Sequence, residues 1–397
     1  VVMGVRRITL QEYEKADQIK RVAFLRTTRE EAKNEADRPE EIFESIWAYF
    51  DDDERMTARV RNIDYTMFFD GQKVRMGGIS AVSSLPEARG KGRVRAILHS
   101  VLSEDRSNGV MFSVLSPFSQ PYYRQFGYAV ANQVSEYTFS LECLLPYAKT
   151  PFQARLHQSG DPLDDFNAVH NAASARYNMA LVRTNRQWLK MMGGDPYLHR
   201  DYRYVFYDDQ AAPVGYLIFA PAGGDPLDIH VTDLDYVDEN ALMGILSFLS
   251  GLRAQVRNVT LKMPPRAKFY QYLPNADLAK HRFVTHDMAR VVHVQKVLET
   301  MRMPQGTGSF TIEVKDAFLS ENEGIYEVQY RDGRVQAVAK VQSSADLCVD
   351  IADFTQLALG VMGLEEMAYR NTVQILGNRE TLSKVFVEKD VYMSDHF

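Results

Sequence analysis

The sequence predicts an α/β fold of the α+β kind, built twice in tandem and followed by a third, mixed α+β domain. Three observations carry this expectation. Residues up to about 148 run strand, strand, strand, basic turn, helix, strand, short helix, strand. Residues 150–290 repeat that order of elements without repeating the sequence, and residues 290–397 mix strands and helices in another order. The chain has 397 residues, 45% of them hydrophobic, which suits two or three domains of about 150 residues with real cores.

In the first stretch, apolar residues at Val22, Phe24 and Leu25, then Ile42, Ile46, Trp47 and Phe50, predict helices across 11–50. "YTMFFDGQKVRMGGISAVSSL" predicts a hairpin that runs into a third strand, with Asp70-Gly71 as the tight turn. "LPEARGKGRVRAILHSVL" then opens as a basic turn with two glycines. It continues as an amphipathic helix, because Val94, Ile97, Leu98, Val101 and Leu102 fall at i, i+3, i+4, i+7 and i+8. "GVMFSVLSP" is a short buried strand, "SQPYYRQFGYAV" a short helix stopped by Gly127, and "VSEYTFSL" a strand.

In the second stretch, "DFNAVHNAASARYNMALVRTNRQWLKMM" predicts one helical region. A hairpin with a longer loop follows, then a strand, the helix "ENALMGILSFLSGLRAQ" and a further strand. Its strand-to-helix turn, "DLDYVDEN", is acidic and has no glycine. The tail "NRETLSKVFVEKDVYMSDHF" has a helix-like pattern. The expected boundaries are 1–148, 149–289 and 290–397.

The basic turn raises the question of which anion it receives. A helix N-terminus presents unpaired N–H groups and the positive end of a dipole. Gly90 and Gly92 permit sharp bends, and Arg89, Lys91, Arg93 and Arg95 supply charge. A P-loop is excluded, since Leu85 stands where its first glycine is needed and Gly92 follows Lys91. The dinucleotide fingerprint fails at Arg95. What is left is an R-x-x-G turn, Arg89 to Gly92, or a solvated helix start whose arginines serve solubility.

The R-x-x-G turn after a strand resembles the acyl-CoA pyrophosphate loop of the GNAT acetyltransferases, although Val94 replaces the usual small residue. More widely, "SSLPEARGKGRVRAIL", "LSPFSQPYYRQFGY", "CVDIADFTQLALG" and the aromatic end of "SDHF" together resemble the Eis (enhanced intracellular survival) family. The resemblance covers essentially the whole chain. It implies two tandem GNAT-like acyl-CoA N-acyltransferase domains, the first binding acetyl-CoA and the second degenerate, followed by a sterol-carrier-protein-like domain. The acidic "DLDYVDEN" turn agrees, since carboxylates repel a pyrophosphate.

Acetyl transfer to an amine needs a held thioester, a neutral amine, a stabilised oxyanion and a proton for the departing thiolate. Backbone N–H groups near Val82, Ser84 and Leu85 are the expected contacts to the thioester and pantetheine. Arg89, Gly90, Lys91, Gly92, Arg93 and Val94 are the expected pyrophosphate contacts. The resemblance places the general acid three residues before the Phe of Phe-Gly-Tyr, at Tyr123. A tyrosine near 10 suits a thiol near 8.5. Tyr122 and Tyr128 are its neighbours, and any one of these tyrosines could instead be a packed aromatic. The family often has Ser where this chain has Phe118. The resemblance also implies that the C-terminal carboxylate, at Phe397, is the general base, with the ring as its anchor.

The remaining composition bounds the function. A net charge of −6 argues against a general nucleic-acid binder. Cys143 and Cys348, the two cysteines, make neither a disulfide framework nor a metal cluster and suit a reducing cytoplasm. No apolar run is long enough for a membrane helix, and "VVMGVRRITLQEYEKA" lacks a signal-peptide core. The histidines show no metal spacing, so no metal is expected. The acceptor is expected to be a small-molecule or peptide amine: aminoglycoside-like, polyamine-like or a lysine. The resemblance implies a homo-oligomer, a hexamer. A longer-chain acyltransferase and a lipid-binding scaffold are the competing readings.

Overall fold

The structure, a computed structural model, describes residues 4–25, 39–147, 152–192, 195–199, 201–224 and 227–396. Five strands open the chain: β1 (Val5–Arg7), β2 (Ile46–Phe50), β3 (Met56–Phe69), β4 (Gln72–Ser84) and β5 (Phe112–Leu115). Helix α1 (Tyr13–Phe24) turns Ala16 and Ile19 inward and stops at Leu25, whose φ is +52°. Helix α2 (Arg93–Ser107) connects β4 to β5, and the short α3 (Gln120–Arg124) follows β5.

Next come β6 (Ala129–Ser140), β7 (Gln153–Leu156), α4 (Asp164–Ser174), α5 (Asn185–Met191), β8 (Tyr202–Tyr207), β9 (Pro213–Gly223) and β10 (Leu227–Tyr236). Helix α6 (Glu239–Gly251), β11 (Val256–Met263) and β12 (Lys280–Val291) complete this stretch. The last stretch holds α7 (Val294–Thr300), β13 (Thr307–Lys315), β14 (Gly324–Arg331), β15 (Arg334–Val341), β16 (Leu347–Asp350), α8 (Ile351–Leu359), β17 (Gln374–Ile375) and α9 (Arg379–Val385).

The chain divides into two compact units. One comprises residues 1–131 and 287–389 with the final two residues, and the other comprises 132–286 with 390–395. In the first unit the sheet order is β1-β2-β3-β4-β5, continued by the Met288–Val291 end of β12. Pairing is antiparallel through β4, parallel between β4 and β5, and antiparallel again at β12. This unit also contains the sheet β15-β14-β13-β16-β17. In the second unit the order is β7-β8-β9-β10-β11-β6, with the parallel pair at β10 and β11. Both sheets therefore show the same sequence of pairings. The parallel step in each is bridged by one helix, α2 or α6, as a crossover connection requires.

Three local expectations are corrected. Ile46–Phe50 is a strand rather than a helix: it pairs with β1 on one edge and β3 on the other, and its Trp, Tyr and Phe suit a pleated surface. The helical region over 165–192 is two helices. Between them Asn178 leaves the helix, and its N–H donates to Asp390 O at 2.8 Å. The tail is helical only over α9, because the residues after it bond to other segments instead of to each other.

Candidate active site

The β4 edge provides the first part of the site. Its parallel pairing with β5 ends at Ile79↔Leu115, while its antiparallel pairing with β3 continues to Ser84. Ala81 adopts a left-handed φ of +49° where the β3 register slips, and this bulge bends the strand. Beyond Ile79 one edge of β4 has lost its ladder partner. The Leu85 N–H donates to Thr57 O on β3 at 3.0 Å. Since N–H groups alternate along a regular strand, that of Ser84 points to the opposite edge, the one β5 has left, while Ala81 and Val82 form the bulge opposite Val60. The structure thus separates two of the candidate amides: Leu85 is committed to β3, and Ser84 faces the opening.

From that edge the chain passes through one short turn, Pro86–Ala88, into the basic turn. Gly90 and Gly92 have φ of +73° and +71°, so both need the left-handed region. A Cβ at either would meet nothing within 4 Å, which means that the glycines serve backbone shape rather than close packing. Gly92 is the N-cap of α2 and offers no side chain to cap it, and the first turn of α2 has no acidic residue. The leading N–H groups of α2 are therefore left for solvent or a ligand. Arg89 and Lys91 are exposed and pair with no carboxylate among the described residues. Arg93 is half-buried, 3.9 Å from Asp51 and over the Tyr49 ring. Arg95 lies over the Phe318 ring at 5.0 Å.

Tyr123, on α3, is buried and belongs to the apolar cluster that holds Ile97, Leu98 and Val101 of α2. Val82 and Val94 pack against the same cluster. The structure so brings together the β4 edge, the helix start and Tyr123. Burial, reinforced by Tyr122 and Tyr128, pushes the Tyr123 hydroxyl well above the usual phenol range. That hydroxyl makes no hydrogen bond among the described residues. Tyr128 differs, because its hydroxyl lies 2.7 Å from Ser113 Oγ in full burial. Of the three tyrosines in "PYYRQFGY", Tyr122 is half-buried and packs its ring on Phe118, which is exposed.

Three parts of the chain match known domain families. Residues 4–131 and 179–291 each match an acetyltransferase (GNAT) domain, and residues 294–394 match a sterol carrier protein domain. The chain is an acetyltransferase with two GNAT domains followed by a sterol carrier protein domain. It is 24% identical to an uncharacterized N-acetyltransferase of Streptomyces avermitilis over 77% of each chain. Its fold is similar to that of a GCN5-related N-acetyltransferase from Anabaena variabilis, with a TM-score of 0.86, 21% identity and 99% of each chain covered. Eis1 from Mycobacterium abscessus is also similar, with a TM-score of 0.79, 17% identity and 99% of this chain and all of that one covered. GNAT acetyltransferases in general take their acetyl group from acetyl-CoA.

In this acetyltransferase the second unit's counterpart of the basic turn is closed by its own side chain. Asp238 is the N-cap of α6 and accepts from the Ala241 N–H at 2.9 Å. The sequence reading of "DLDYVDEN" as a cluster of repelling carboxylates needs correction. Asp233 and Asp235 lie on β10 and are buried, and the turn proper carries Asp238 and Glu239. Asp233 accepts from Arg183 Nη1 at 2.5 Å and from the Tyr216 hydroxyl at 2.8 Å. Burial by itself would raise its pKa, but Arg183 outweighs burial and holds it below the usual value. His170 stands between two acceptors, Asp235 Oδ2 at 2.7 Å and Leu181 O at 2.8 Å. Both ring nitrogens then donate, which is the imidazolium form. Burial and Arg183 oppose that charge, yet Asp235 prevails and the His170 pKa is raised.

Phe397 lies outside the described residues. His99 is exposed on α2, its ring edge-on to Phe318. Both cysteines are buried and free. No group of His, Cys, Asp or Glu among the described residues could hold a metal ion, and no helix among them is long and apolar enough to cross a membrane. Sequence reasoning missed the Ala81 bulge and the Arg183 cluster. Ala81 carries no turn signature, and Arg183 lies in a stretch read as helix.

Proposed function

We propose that this acetyltransferase moves the acetyl group of acetyl-CoA onto the nitrogen of a primary amine by direct attack on the thioester. The acceptor is a small molecule, aminoglycoside-like or polyamine-like, or a lysine side chain of a peptide. The observation that supports the reading is the β4 edge left open beyond Ile79, followed after a turn at Pro86–Ala88 by a glycine-shaped helix start with no side-chain cap. Two separate sets of N–H groups, at the β4 edge and at the start of α2, suit a long ligand with a carbonyl at one end and phosphates at the other.

In this reading Arg89, Gly90, Lys91, Gly92, Arg93 and Val94 hold the pyrophosphate. The Val82 and Ser84 N–H groups hold the pantetheine and polarise the thioester carbonyl, and Leu85 sets the end of the strand. Tyr123 remains protonated because it is buried, and its hydroxyl delivers that proton to the departing sulfur. The amine loses a proton to the C-terminal carboxylate at Phe397, a base only if desolvation raises its pKa. The nitrogen–carbon bond forms as the carbon–sulfur bond breaks, and CoA leaves as the thiol. Along the chain the tasks divide as 1–148 for acetyl-CoA, 149–289 as a GNAT-like domain without a CoA loop, and 290–397 as the sterol-carrier-like part. A cytoplasmic homo-oligomer, a hexamer, completes the proposal. The free cysteines support the compartment, and light scattering tests the assembly.

The test measures CoA release with a panel of amines, alcohols and thiols, using acetyl-, propionyl- and myristoyl-CoA. Amines should turn over fastest with acetyl-CoA. Preference for myristoyl-CoA would select the longer-chain reading, and turnover restricted to alcohols or thiols would overturn the amine. Deleting Phe397, or adding one residue after it, should sharply reduce turnover without affecting the fold. Unchanged turnover would remove the carboxylate from the mechanism.

A further inference from the structure

The stretch "CVDIADFTQLALG" takes no part in the chemistry proposed above, yet residues from Asp350 to Gln356 form one wall of a cavity. Within the first compact unit, the turn after Tyr123, the start of α8 and the turn after β13 border a space of about 700 Å³. Small-molecule sites commonly have about 300–1,000 Å³. Val82, Ser84, Leu85, Tyr123 and the basic turn do not line this space. At Gly127 two of its walls touch, since a Cβ there would lie 2.7 Å from Ile351 Cγ2 and 3.1 Å from Arg290 Nη1.

Most charges on these walls are already answered. Asp316 pairs with Arg290 in full burial. Asp353 accepts from Arg370 Nη1 at 2.5 Å and from the Thr372 hydroxyl. The same Arg370 nitrogen donates to Gln356 Oε1 at 2.7 Å. Lys315 lies 3.9 Å from Glu313. Arg124 and Asp350 are different. Arg124 is exposed and makes no hydrogen bond or salt bridge among the described residues. Asp350 is half-buried. Its carboxylate accepts from the Asp353 N–H at 2.7 Å as the cap of α8, and no cation pairs with it among the described residues. Burial pushes its carboxyl up, and Arg124 pulls it back without touching it. Glu323, exposed on the same walls, adds a second carboxylate.

We propose that this cavity is a binding site for a small zwitterion of the amino-acid kind. The ligand's carboxylate meets Arg124, its ammonium meets Asp350, and its apolar body lies against Phe318 and Ile351, which line the space. A cation and an anion held apart across a cavity are answered together by a ligand that carries the opposite charge at each end. A simple anion leaves Asp350 half-buried without a cation, and a simple amine leaves Arg124 without an anion. An ammonium also offsets the desolvation of the Asp350 carboxylate, which burial disfavours. Guanidinium and carboxylate match as a two-pronged pair, so Arg124 suits that end. The site is additional to the acetyl-transfer site and does not depend on it.

The test is calorimetric titration of the full chain with L-leucine and L-phenylalanine. Isocaproate and isoamylamine serve as probes that carry one charge each. At least one amino acid should bind with a Kd of about 1 mM or below, and the single-charge probes should bind about tenfold more weakly or worse. Arg124→Gln removes a cation that has no partner among the described residues, and Asp350→Asn keeps the oxygen that caps α8. Both variants should keep the parent's urea midpoint, and each should weaken binding by about tenfold or more. A saturating amino acid should leave the KM of a good amine acceptor unchanged. Absence of binding by both amino acids would overturn the proposal. So would equal binding of either single-charge probe, or undiminished binding in either variant. Competition with the acceptor amine would make the cavity part of the acceptor site and overturn its independence.

Discussion

Arg290 and Asp316 form an ion pair in which neither side chain has any solvent access, Nη2 to Oδ2 at 2.5 Å. Arg290 Nη1 also donates to Phe126 O, in the turn that follows Tyr123. Asp316 also accepts from the Phe318 and Leu319 N–H groups and from Asn322. The pair therefore joins the Tyr123 turn to the start of the carrier-like part. Arg290→Met leaves the carboxylate buried without its cation, a situation that costs about 3–5 kcal/mol. Urea unfolding should show that loss, and a change below about 1 kcal/mol would mean that Asp316 is satisfied by its N–H donors alone.

Tyr123→Phe separates acid catalysis from packing. The hydroxyl has no partner among the described residues, so its removal should leave the urea midpoint unchanged. The ring and its aromatic neighbours are retained. If the hydroxyl supplies the proton, kcat should fall by about 100-fold or more. Steady-state kinetics with a good amine acceptor decide the matter.

Arg89→Gln combined with Lys91→Gln probes the basic turn. Both side chains are exposed and form no salt bridge among the described residues, so stability should change by no more than about 0.5 kcal/mol. Loss of two charge-assisted contacts to phosphate should raise the KM for acetyl-CoA by about 10-fold or more while kcat at saturation stays near the parent value. The KM of the parent should also rise with salt, and that of the variant less so.

Asp105 makes stability depend on pH. It lies on the inner face of α2, and burial pushes its carboxyl up to about 7 against the pull of the Asn62 hydrogen bond. A carboxyl with a raised folded pKa is in its preferred, neutral state at low pH. Its stabilising contribution is complete below about pH 4 and is lost as the pH rises through about 7. Asp105→Asn should then stabilise the protein at pH 8, by up to about 4 kcal/mol, and have little effect at pH 4. The new amide also places a donor near Asn62 Oδ1, a buried acceptor with no partner among the described residues. Melting temperatures of both proteins across that range test it, and equal pH profiles would refute it.

Helix α2, the Asp70-Gly71 turn and the R-x-x-G turn were legible because each depends on residues a few positions apart. The apolar spacing of Ile97, Leu98, Val101 and Leu102 describes one face, and that face is buried. Gly90 and Gly92 stand where the backbone needs positive φ, and glycine is the residue that takes it without strain. Ile46–Phe50 was not legible, because its apolar spacing fits a helix as well as a strand, and its two sheet partners lie elsewhere in the sequence.

The sequence by itself determined the order of elements, the basic character of one turn and the acidic character of its counterpart, since these are local properties of side chains. Only the tertiary structure decided that the Leu85 N–H is taken while that of Ser84 faces away from β3. It also decided that Tyr123 is buried with no hydrogen-bond partner for its hydroxyl among the described residues, and that Arg183 meets Asp395 across 212 residues. Each of these depends on which groups folding removes from water and which partners it then supplies. A buried donor or acceptor must find its partner wherever the fold brings one, however distant in the chain.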